Sequence, residues 1–106
     1  MSTFNDRERA EEARFALTEE QLFKVMNRRN KLLGLWAAGV MGMGEDDAEA
    51  YAKTVVLSDL EEAGDEDVFR KVRGDLDKAD TGTSDAEIRE QMAVLLPEAR
   101  SQVVDE

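Results

Sequence analysis

The sequence predicts an all-α protein: an antiparallel four-helix bundle over residues 18–106, preceded by an N-terminal arm, 1–17, that is flexible or only conditionally helical. Three observations carry this. Proline occurs once and glycine seven times in 106 residues, so little interrupts helix. β-branched runs are short, the longest being Thr54-Val55-Val56, so strands have few candidates. Two Ser/Thr residues stand three positions before Gln or Glu where a helical apolar pattern begins: Thr18 with Gln21, and Ser84 with Glu87.

The arm is too polar to fold alone. From Asp6 to Arg14, seven of nine residues are charged. Only Phe4 and Phe15 offer large apolar surface. The i,i+3 pairs Arg9–Glu12 and Glu11–Arg14 favour helix by a few tenths of a kcal/mol each, roughly. A lone segment of this length is marginal in water. Helical order is therefore expected when a partner supplies the missing contacts.

The first helix is predicted from a capping box at Thr18, with Leu22, Met26, Leu33, Trp36 or Ala37, and Val40 at helical spacing. It loses support at Gly42-Met43-Gly44. Gly34 and Gly39 inside it point to a close neighbour, a helix or a ligand. A second helix is predicted from Asp46 to Glu62, its acidic start suited to the helix dipole. Ala48, Tyr51, Ala52, Val55 and Val56 form its apolar face, and Gly64 its stop. The third begins near Asp65 and carries Val68, Phe69, Val72 and Leu76. The fourth opens on a capping box at Ser84 and holds Ile88, Met92, Leu95, Leu96, Ala99 and Val103 in register. Pro97 removes the bond to the Ala93 carbonyl, which predicts a kink or break there. Short connections favour antiparallel neighbours.

The net charge is −11. Such a surface repels phosphate backbones and anionic lipid heads, which argues against nucleic acid and direct membrane contact. The charge is uneven: residues 1–44 hold seven basic and six acidic side chains, residues 45–106 seven and nineteen. Cysteine and histidine are absent, which removes thiolate and imidazole chemistry and any histidine pH switch. No apolar run approaches the ~20 residues that span a bilayer, and no signal-type leader opens the chain. These features suit a cytoplasmic protein.

No nucleophile–base pair can be built from the spacing, so no catalytic residue is assigned and the chain reads as a non-enzyme. The acidic pairs sit at helix starts or on polar faces, where solvation and dipole pairing account for them. Asp75 to Asp80 fails as a calcium loop, because Ala79, Asp80 and Ala86 stand where oxygen ligands and glycine are needed. The basic cluster Lys24, Arg28, Arg29 and Lys31 reads first as a counter-surface for the acidic helices. A sharper reading makes Lys24, Arg28 and Lys31 a phosphate contact, with Trp36 or Tyr51 as aromatic face, for weak ATP or ADP binding. Trp36 by itself reads as core. No phosphate loop of the GxxxxGK type is present, and no other cofactor is implied.

Longer blocks carry a resemblance. Arg28-Arg29-Asn30-Lys31-Leu32-Leu33-Gly34-Leu35-Trp36-Ala37-Ala38-Gly39 resembles the signature of the alphaproteobacterial zeta family of F-type ATP synthase inhibitor subunits. Ala50 to Val56 resembles its second block, and Glu61 to Gly64 with Asp67 to Val72 its third. Thr3-Phe4 with Asp6 to Ala10 and Phe15 resembles its start. The resemblance implies a four-helix protein whose N-terminal segment enters the catalytic head at an alpha/beta interface near the central rotor, gamma, and blocks hydrolytic rotation. It implies inhibitory positions at Phe4, Asp6, Arg7, Glu8, Arg9 and Phe15. It also implies a place at the inner membrane through the synthase.

Overall fold

Backbone chemistry at the helix ends sets the limits of each element. The computed structural model describes residues 18–61 and 65–105. These form α1 (Glu19–Val40), α2 (Glu45–Glu61), α3 (Asp65–Lys78) and α4 (Asp85–Val104). At the start of α1, the Thr18 hydroxyl accepts from the Gln21 amide at 3.1 Å, and the Gln21 side chain accepts from the Thr18 amide at 3.0 Å. This is the expected reciprocal box. Ser84 gives only half of one. Its hydroxyl accepts from the Glu87 amide but donates to the Glu87 carboxylate, which leaves its own backbone N–H out of the exchange.

Two helices close on left-handed residues. Gly42, at φ 78°, follows α1. Its amide donates to Gly39 and the Met43 amide to Ala38, the paired bonds of a Schellman closure. Asp80 repeats this after α3 at φ 55°, with its amide on Asp77 and the Thr81 amide on Leu76. A non-glycine residue there carries strain that glycine would not.

Among the described residues α1 touches all three other helices, whereas α2 and α4 do not meet. The main core gathers Leu33 and Ala37 of α1, Val55 of α2, Val68, Val72 and Leu76 of α3, and Ile88 and Met92 of α4. Trp36, Met41, Tyr51, Phe69 and Leu95 pack on its margin. A smaller cluster, Val25 with Ala99 and Val103, joins the start of α1 to the end of α4. Sequence neighbours run antiparallel, as the pairs Gly34–Ala52, Tyr51–Asp75 and Arg73–Asp85 require.

Several expectations change. Leu22 is 50% exposed and Val40 40%, so neither belongs to the core. The buried stripe of α1 instead runs through Val25, Arg29, Leu33 and Ala37, at intervals of four. Of the two interior glycines, Gly34 lies against α2, while Gly39 has open space around it. α4 passes through Pro97 without a break. Both Pro97 and Ala93 are exposed, so water can replace the amide the Ala93 carbonyl lacks.

Candidate partner-binding surface

The six positions that the resemblance implies to be inhibitory, Phe4, Asp6, Arg7, Glu8, Arg9 and Phe15, lie outside the described residues. What the structure does place is the base on which that segment stands, and the basic cluster behind it.

The cluster divides. Arg29 is only 2% exposed and is structural. Its Nε donates to Asn30 Oδ1 at 2.8 Å, one terminal nitrogen to the Met92 carbonyl at 3.3 Å, and the other to Asp65 at 2.6 Å. One guanidinium thus ties α1 to α3 and α4, a use that its planar fork of donors suits better than lysine. Asn30 is fully buried beside it, and its Nδ2 is without a protein partner. The sequence held the signal for Arg29, since it falls four residues from both Val25 and Leu33.

Lys24, Arg28 and Lys31 do come together. With Asn27 and Val56 they line a recess of ≈ 400 Å³ between α1 and α2. Lys24 reaches Glu20 at 3.6 Å, and Arg28 donates to Gln102 of α4 at 3.0 Å. Lys31 also borders a more apolar depression of ≈ 350 Å³ lined by Ala52, Lys53, Val56 and Leu57. Trp36 and Tyr51 line neither. Trp36 packs on the main core. The Tyr51 hydroxyl donates to Asp75 at 2.9 Å, Lys71 holds the same carboxylate oxygen at 2.7 Å, and the Lys71 ammonium lies 5.2 Å from the Tyr51 ring centre. Burial, then the bond to Asp75 and its charge, pushes the Tyr51 phenol well above its ordinary range.

One feature carried no motif in the sequence. Leu22 and Phe23, 50% and 56% exposed, stand side by side on the first turns of α1. The only available signal was the four-residue stripe from Val25, which neither residue joins. Among the described residues, no group of three or more His, Cys, Asp or Glu side chains is arranged to hold a metal ion. No helix among them is long and apolar enough to cross a membrane.

Comparison with known proteins gives this surface its context. The model of the family described as ATPase inhibitor subunit zeta matches residues 1–102. No curated protein matches the chain. A solved structure, described only as the solution NMR structure of a protein, is 51% identical with a TM-score of 0.71, covering 78% of this chain and 94% of that one. Four helices and a family match over almost every residue agree. The chain belongs to the ATPase inhibitor subunit zeta family, a family of ATP synthase inhibitor subunits and not of enzymes.

Proposed function

We propose that residues 1–17 carry the inhibition and that the bundle from residue 18 positions them. The leader enters the catalytic head of an F-type ATP synthase at an alpha/beta interface beside gamma and obstructs rotation in the hydrolytic direction. The acidic bundle stays outside and solvated, and the protein resides in the cytoplasm at the membrane through its host. The observation that carries this reading is the reach of the family match. It starts at residue 1, so the charged leader is part of the family pattern and not an appendage to it. A leader too polar to fold alone gains order on docking at a cost of roughly 2–5 kcal/mol, which keeps release accessible. Deleting residues 1–17 tests it. The truncated chain is expected to keep its far-ultraviolet dichroism and to leave ATP hydrolysis by the purified head unrestrained. Inhibition equal to that of the full chain overturns the assignment.

A second reading has one observation in its favour: Lys24, Arg28 and Lys31 share a recess with Asn27. We infer weak adenine-nucleotide binding there, the cations holding the phosphates and Val56 offering apolar contact. Amide shifts at Lys24 and Lys31 on adding millimolar ATP are expected. Their absence discards it.

A further inference from the structure

α1 outreaches its neighbours at its N-terminal end. Val25 packs on Val103, one residue before the end of α4. The antiparallel register through Gly34 and Ala52 brings the last turn of α2, which ends at Glu61, level with about the same point. α3 begins where Asp65 meets Arg29. Residues 19–24 therefore project past all three helices, by roughly 9 Å at 1.5 Å per residue. Leu22 and Phe23 lie on this projection, and Val104, 53% exposed, ends α4 beside its root. Large apolar side chains left adjacent and uncovered mark contact surfaces more often than scattered single ones do.

We propose that Leu22 and Phe23 form a second anchor for the catalytic head, next in sequence to the leader. This rests on the reading of residues 1–17 as the inhibitory segment. Phe23 follows Phe15 by eight residues, so the two are at most about 28 Å apart however the chain between them runs. That is about the width of one standard interface of roughly 800 Å² per partner. Phe is among the side chains enriched at the buried centre of such interfaces, where dominant contacts fill dry pockets. Glu19 and Glu20 flank the anchor on the first turn. Lys24 pairs with Glu20 at 3.6 Å, so the surface that receives the anchor is an apolar pocket on the head with a mixed polar rim, close to the mouth of the cleft that takes the leader.

Two full-length variants, F4A/F15A and L22Q/F23Q, are to be compared with the parent in ATP-hydrolysis titrations of the purified head. Leu22 and Phe23 take little part in the core, so L22Q/F23Q keeps its helicity and melting temperature. Both variants are expected to need at least about tenfold more protein for half inhibition, roughly 1.4 kcal/mol of binding. If F4A/F15A weakens inhibition and L22Q/F23Q does not, the second anchor is overturned while the leader assignment stands. If F4A/F15A inhibits like the parent, the leader assignment falls, and this proposal with it. A photo-reactive benzophenone residue at position 23 gives an independent readout. It is expected to crosslink to a subunit of the head, while the same residue at Val40, roughly 25 Å along the helix, does not. Capture within the chain itself, or a mass that doubles with concentration in sedimentation and reverts in L22Q/F23Q, assigns the step to the leader or to a second copy and overturns the proposal.

Discussion

Gly34 and Ala52 hold the backbones of α1 and α2 in direct contact. A methyl group on Gly34 would lie 2.6 Å from the Ala52 Cα and 3.2 Å from Val55 Cγ2. A backbone atom that close cannot rotate away, so the helices must separate. Gly34→Ala is expected to destabilise the bundle by about 2 kcal/mol, because overpacking outweighs the gain in helix propensity. Gly74→Ala is the control. Gly74 is also inside a helix, but nothing lies within 4 Å of its added methyl, and it should stabilise by up to about 1 kcal/mol. Urea unfolding of both variants reads the difference, and equal effects would contradict the contact.

Arg29 is a buried cation that joins three helices. Arg29→Ala removes its packing and takes from Asn30 Oδ1 the donor at 2.8 Å, at an expected cost of about 3 kcal/mol. Arg29→Met keeps most of the volume and removes the buried charge, and should cost less than half as much. Should the two variants melt together, the guanidinium's hydrogen bonds and not its volume would set the cost.

Asp80 occupies a left-handed position that closes α3. Asp80→Gly relieves the strain and removes an acid from the negative end of the helix dipole, offset in part by the greater freedom of glycine in the unfolded chain. A net gain of roughly 0.5–1 kcal/mol is expected, seen as a rise of about 2–6 °C in melting temperature.

Tyr51 gives a pH dependence of known sign. Its folded phenol is raised above the ordinary value of about 10. The neutral form is therefore favoured by the fold. The associated stability is whole below about pH 10 and declines as pH rises above it, where the unfolded phenol ionises first. The chain has one tyrosine, so phenolate absorbance reports this group alone. The native protein should stay unionised past pH 10, while the urea-unfolded chain titrates near it. In Tyr51→Phe the alkaline loss should shrink, with about 1 kcal/mol lost at neutral pH along with the bond to Asp75. A native titration midpoint near 10 would count against the buried bond.

The helices and their ends were readable from the chain because their signals are local. Thr18 and Ser84 act on amides, and Gly42 on carbonyls, within four residues of themselves. The inward face of α1 was read correctly at Leu33 and Ala37 and misread at Leu22 and Val40, its two ends, because these depend on where the other helices stop. Leu22 has the right chemistry for a core and the wrong position, past the last turn of α2 and α4. Arg29 has the wrong chemistry and the right position, made acceptable by Asp65 from thirty-six residues away. The basic recess was half legible: spacing placed Lys24, Arg28 and Lys31 on one side of a helix. The aromatic residues assigned with them face other neighbours: Trp36 packs on the core, as its own spacing suggested, and Tyr51 meets Asp75, which only the packing of α2 on α3 decides.

The two left-handed closures at Gly42 and Asp80 stand at one pole of the molecule. The start of α1, the end of α2, the start of α3 and the last turn of α4 stand at the other. A dye, bead or affinity tag attached at Val104 would thus share a pole with Leu22 and Phe23. The same cargo carried at Gly44 or Gly82 would hang from the far pole, clear of both.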